Sequence, residues 1–245
     1  MARCPFARWE PIPPQKDREK LGERAPSQVQ SQVQTQLILH SADGSYAGSL
    51  SWWESRFHWG IYSTFFVLND GELIQLMDTA ARTEANSTAN ARAISVETED
   101  YGDPDHRPWT PKQVETLIEL AKWVNEEHGI PLLPCPDHDQ PGIGFHSMWS
   151  DVAAVSPWIA ETKTVKAKTC PGIARIPQFF DELMRGVGYP AAGNELDAVY
   201  ARWSSDPRKR EVTPRRRRRR GGKRLGSFDR LRKHEDAFTR RGHSA

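Results

Sequence analysis

The 245-residue chain has only three cysteines, Cys4, Cys135 and Cys170. Three is an odd number and too few for a disulfide framework. A metal-ligating or catalytic task for one of them stays open. No run of eighteen apolar residues occurs, so no transmembrane helix is expected. The opening stretch, MARCPFARWEPIPPQKDREK, lacks the apolar core of a signal peptide. The expectation is a chain made in the cytoplasm, which needs another route if it acts outside. No internal repeat is visible. Hydrophobic residues make up 37%, low for a fully compact protein, so part of the chain is expected to be disordered.

The net charge of +2 hides an asymmetry. Residues 206–245 hold 16 Lys/Arg against 5 Asp/Glu, a net +11. Residues 1–205 hold 18 against 27, a net −9. The two parts therefore need separate partner arguments. From about 204 the chain turns polar and basic, with a six-arginine run at Arg215–Arg220. This reads as a disordered or partly helical tail. Such a tail is expected either to contact polyanions, whether anionic wall polymers, a membrane surface or nucleic acid, or only to solubilise the chain. Only Phe228 and Phe238 interrupt it, which argues against base stacking.

The remainder divides into an irregular segment, 1–34, and a domain, 35–203. Pro11, Pro13 and Pro14 block regular structure early on. TQLILH then reads as a buried strand ending at His40. In STFFVLNDGELIQLMD, two apolar runs flank Asn69-Asp70-Gly71, a hairpin signal. ARAISVETE alternates as a strand whose two faces see different surroundings. Thr110 and Gln113 make a capping box around Pro111, and Gly129 stops the helix. Val114, Leu117, Ile118, Ala121 and Val124 give it an apolar face. GIARIPQFFDELMRGVG is a second helical stretch, with an interruption expected near Pro177. A third surrounds GNELDAVYARW. Strands interleaved with a few helices imply an α/β domain with a mixed central β-sheet.

Two histidines stand out among eight. His40 ends a strand, and His146 sits in the glycine-flanked GIGFHSMW. With Cys170 they make a possible His, His, Cys set, and three protein ligands plus an open position is a catalytic zinc pattern. Their spacing of 106 and then 24 residues is no local zinc-finger signature, so on these residues alone the reading as three unrelated polar residues stands. Glu97 and Glu99 share one side of a regular strand. They are either a solvated face or, beside a metal, a proton acceptor.

LILHSADGS, STFFVLNDGELIQLMDTA, ARAISVETEDYG, GIGFHSMW and AKTCPG occur in an order that resembles the zinc-dependent N-acetylmuramoyl-L-alanine amidases of the type 2 family. CPFARWEPI is similar to the start of actinobacterial and actinophage members. The resemblance covers about residues 1–186. It implies the fold of the peptidoglycan recognition proteins and one Zn2+ held by His40, His146 and Cys170. It also implies Lys168 as oxyanion partner and Glu97 as the carboxylate that moves the proton of the attacking water. The implied substrate is peptidoglycan, cut at the amide between N-acetylmuramic acid and L-alanine. The implied setting is a phage endolysin, monomeric, released by a holin. The competing reading is a non-catalytic peptidoglycan-binding module of the same fold. Two departures stand out. Ser63-Thr64-Phe65 replaces the family's Ser-His-Phe or Tyr-His-Phe, leaving its helper absent or displaced to Tyr62. The segment between His146 and Cys170 is long, and its Trp149 is a candidate substrate wall.

Overall fold

The apolar run in Gln36–Ser41 forms a strand, β2, which lies between β5 and the edge strand β6 of a six-stranded sheet. The computed structural model describes residues 2–13, 15–16, 33–56, 62–86, 89–136, 139–149 and 170–189, with backbone alone at Arg56, Met148 and Trp149. The other strands are β1 (Arg8–Trp9), β3 (Phe65–Val67), β4 (Leu73–Gln75), β5 (Ala93–Thr98) and β6 (Gly142–Phe145). Their order across the sheet is β1-β4-β3-β5-β2-β6. Only the β3–β4 pair is antiparallel. The expected mixed α/β architecture is therefore present.

Local signals account for much of this. The hairpin turns at Gly71, with φ +90°. A Cβ there would sit 2.9 Å from Lys112 Cβ, so glycine serves both the turn and the close approach of the next helix. That helix, α2 (Pro111–His128), starts with the full capping box of Thr110 and Gln113 and ends at Gly129 in the left-handed region. Its buried residues are Gln113, Val114, Leu117, Leu120, Ala121 and Val124.

Three expectations change. The N-terminal segment is not wholly irregular: Arg8–Trp9 pair parallel with Ile74–Gln75 at the sheet edge. A helix unforeseen in the sequence, α1 (Tyr46–Arg56), follows β2. Of its described side chains only Trp53 is deeply buried, so it carries almost no apolar periodicity to read. Pro177 does not interrupt its helix. It lies in the first turn of α3 (Arg175–Gln178), where its missing N–H would have had no intrahelical acceptor. The chain then widens into a π-helical turn, Phe179–Met184. The stretch around residues 193–203 and the basic tail lie outside the described residues.

Alternation along the strands separates two faces. Leu37, Leu39, Ile94, Val96, Phe65, Val67, Ile143 and Phe145 join α2, Ile176, Phe179, Phe180 and Leu183 in the main core. On the opposite face Phe66 and Ile74 pack with Trp53, Tyr62 and Leu76, and Ile38 and Ala93 pack with Cys135. Among the described residues no helix is long and apolar enough to cross a membrane.

Candidate metal centre

The centre forms where strands β2, β5 and β6 leave the sheet. His40 stands level with Glu97 in the parallel β2–β5 pair, so both side chains share a face. This is the face opposite Leu39 and Val96. His146 directly follows β6, whose Phe145 is level with Leu39. Its ring lies 4.6 Å from that of His40, centroid to centroid. Cys170 returns from a distant part of the sequence, and its carbonyl accepts from Ser147 N–H at 2.8 Å. Two residues on, Gly172 lets the same segment pass against Pro104: a Cβ there would lie 2.2 Å from Pro104 O, and φ is +113°. One ligand atom each from His40, His146 and Cys170 lies within 4.8 Å of the others.

Hydrogen bonds orient these donors. His40 Nε2 is 2.8 Å from Asn86 Oδ1, a contact that suits the tautomer in which Nε2–H donates to the amide oxygen. Nδ1 then offers its lone pair on the side of Cys170, whose Sγ is 3.6 Å away. The sulfur also accepts from Ser41 N–H at 3.3 Å. His40 is buried at 2% exposure, while His146 and Cys170 are half-buried and reachable. The other two cysteines differ: burial pushes the Cys4 thiol up to about 11 and the Cys135 thiol up to about 12. Neither forms thiolate readily, so Cys170 alone combines access with histidine neighbours.

The residue range 30–173 matches the model of the N-acetylmuramoyl-L-alanine amidase family (Amidase_2). The chain belongs to that family. Solved structures similar to it include the N-acetylmuramoyl-L-alanine amidase LysC from Clostridium intestinale URNW, at 16% identity and TM-score 0.46, covering 65% of this chain and 88% of that one. The Ph2119 endolysin from the Thermus scotoductus MAT2119 bacteriophage is 16% identical, with TM-score 0.41 and coverage of 59% and 81%. Drosophila peptidoglycan recognition protein SD is 10% identical, with TM-score 0.43 and coverage of 64% and 86%. These distant likenesses add nothing to the family assignment. No curated protein matches the chain significantly.

The remaining candidates of this amidase-family chain fall in different places. Glu97 is half-buried on the His40 face. Glu99 lies one residue beyond β5, and its carboxylate accepts from Tyr46 N–H and from Asn69 N–H and Nδ2, so it anchors the start of α1 and the hairpin. Tyr62 is buried at 1% in the cluster around Phe66, and among the described residues its hydroxyl has no hydrogen-bond partner. Trp149 ends the short 3-10 turn His146–Trp149, and its side chain lies outside the described atoms. Lys168 lies outside the described residues. Asn86 escaped the sequence reading. It sits in a polar loop among other Asn and Thr residues, and nothing local marks which of them meets a histidine.

Proposed function

We propose that the chain hydrolyses the amide joining N-acetylmuramic acid to L-alanine in peptidoglycan, with one zinc ion held by His40, His146 and Cys170. The observation that carries this reading is the convergence of their three ligand atoms within 4.8 Å, in a chain of the amidase family. The donor set fits the metal. Two imidazole nitrogens and one thiolate are zinc donors, and three protein ligands leave a position for water or substrate. The Asn86 bond to His40 supports the fit, because ligating histidines commonly donate their second nitrogen to a protein oxygen. Zinc held there supplies a Lewis acid that polarises the amide carbonyl and makes water ionise near neutral pH.

The chain's own residues do the rest. Glu97 takes the proton of the attacking water and delivers it to the departing amine nitrogen. Lys168 donates to the carbonyl oxygen as negative charge develops there. Trp149 and Tyr62 are the proposed substrate contacts, and Tyr62 reaches substrate only if its ring leaves the cluster around Phe66. In this reading the chain is a monomeric phage endolysin that meets the wall after holin release. Its net +11 tail, including Arg215–Arg220, then holds anionic wall polymers.

The test uses the purified full chain on purified peptidoglycan, with bound metal quantified. The expected result is about one zinc per chain and new L-alanine amino groups without new reducing sugar ends. New reducing ends alone mean a glycosidase. Binding to the wall without any cleavage means a recognition module of the same fold.

A further inference from the structure

The guanidinium of Arg175 is 1% exposed and lies beneath the strand ends that carry the candidate ligands. Its Nη1 donates to Thr98 Oγ1 at 2.7 Å, its Nη2 to Glu99 O at 3.2 Å and its Nε to Arg107 O at 3.0 Å. Burying a charge this deeply is costly unless it is paired and hydrogen-bonded. Asp100 is the partner, 4.0 Å away and fully buried.

Each contact leads to a different piece of the centre. The Thr98 hydroxyl donates to His40 O at 2.7 Å and accepts from Trp109 Nε1 at 3.0 Å, besides accepting from Arg175. That uses its single proton and both lone pairs. Asp100 accepts from Asp43 N–H at 3.0 Å, three residues beyond His40. Glu99 is two residues beyond Glu97. Arg175 is itself five residues beyond Cys170, and α3 begins with it. One side chain therefore joins the exit of β2, the exit of β5 and the Cys170 segment.

We infer that Arg175 is a positioning residue, which sets Cys170 against His40 and Glu97 by tying their three segments to one planar cation. Lysine cannot replace it fully, because one ammonium cannot span Thr98, Glu99 and Arg107 in the planar fork that the guanidinium provides. Burial lowers the Arg175 pKa, with Asp100 the main opposing influence, but no arginine approaches neutrality at ordinary pH. The inference rests on reading His40, His146 and Cys170 as metal ligands.

The experiment compares the full-length wild type with Arg175→Met and Arg175→Lys, each checked for native circular dichroism. Two readouts separate positioning from mere folding. The first is cobalt(II) titration, in which a bound Cys170 sulfur produces a thiolate-to-cobalt charge-transfer band. Arg175→Met is expected to weaken cobalt binding about 10–100-fold, as losses of outer-shell support do, and to reduce that band. Arg175→Lys is expected to recover part of both. The second is the rate at which iodoacetamide alkylates Cys170 without metal, with buried Cys4 and Cys135 as slow internal references. That rate is expected to change in Arg175→Met. A folded Arg175→Met with wild-type cobalt affinity, band and alkylation rate overturns the inference. A wild type that binds no metal overturns the proposed function instead, and the alkylation comparison then decides on Arg175 alone. If Arg175→Met does not fold, Thr98→Val carries the same readouts, since it cuts the link to His40 O and leaves the Arg175–Asp100 pair in place.

Discussion

On β2, Leu37 and Leu39 enter the core under α2 and the Phe179–Met184 turn, while His40 turns to the opposite face beside Glu97. On β5 the same division sets Ile94 and Val96 against Ser95 and Glu97. The apolar face is filled by side chains whose job is finished once water is excluded. The other face carries clusters of its own, Phe66 and Ile74 with Trp53 and Tyr62, and Ile38 and Ala93 with Cys135, and the candidate ligands gather at its edge. The backbone ladder is common to both. A regular strand lets one face stabilise the fold while the other holds reactive groups in fixed register, because neighbouring side chains are separated by the sheet itself.

That division can be broken one face at a time. The largest effect is expected from Cys170→Ala. It should abolish stoichiometric zinc and reduce peptidoglycan cleavage by more than the ~10²–10³-fold typical of losing one oxyanion donor, with little loss of thermal stability. Metal analysis and release of L-alanine amino groups measure it, and full zinc with full activity would remove Cys170 from the centre. Leu39→Ala, one residue from His40 but on the other face, should cost about 2–5 kcal/mol in urea unfolding and leave zinc stoichiometry intact in the folded fraction. If it removes the metal while the fold survives, the two faces are not separable as described.

Asn86→Ala should lower zinc affinity about 10–100-fold without changing the unfolding midpoint of the metal-free chain greatly, as seen in chelator competition. Thr110→Ala removes the side-chain acceptor for Gln113 N–H and the donor to Asn69 O. It should cost about 1 kcal/mol and leave cleavage unchanged.

The smallest effect is a pH response at His128, which is not one of the candidate metal ligands. Burial lowers the His128 pKa below its ordinary 6.5, partly opposed by Glu127 and Asp78. The unfolded chain then binds this proton more tightly than the folded one. Stability should fall as pH drops through 6.5 toward the folded value, then level off. Urea midpoints across that range should show a weaker slope in His128→Gln. An unchanged slope would mean that His128, hydrogen-bonded to Thr79 Oγ1 at 2.8 Å, is not the group responsible.

Several elements were legible because their causes are local. The capping box at Thr110 joins residues three apart, and the Asn69-Asp70-Gly71 turn joins strands that follow one another. The two-fold alternation of ARAISVETE is a property of six consecutive residues. The first helix was not legible, because its one deeply buried side chain, Trp53, sets no period. The effect of Pro177 was not legible because it turns on where α3 begins: at Arg175, which puts the proline in the first turn, where it breaks no hydrogen bond.

The sequence by itself determined which chemistry was available: two histidines at the ends of strand-like runs, one cysteine outside any apolar run, an acidic strand, and a basic tail. Residue types and spacing could not say that residues 40, 146 and 170 meet; only the resemblance carried by the ordered motifs implied it. Parallel pairing of β6 with β2 brings His146 to His40, and the contacts of Ser147, Ser41 and Arg175 return Cys170 to the same corner. Parallel strands require long crossovers, so neighbours in such a centre are far apart along the chain. Only the tertiary structure closes those distances, and only strand parity decides which face receives the side chains.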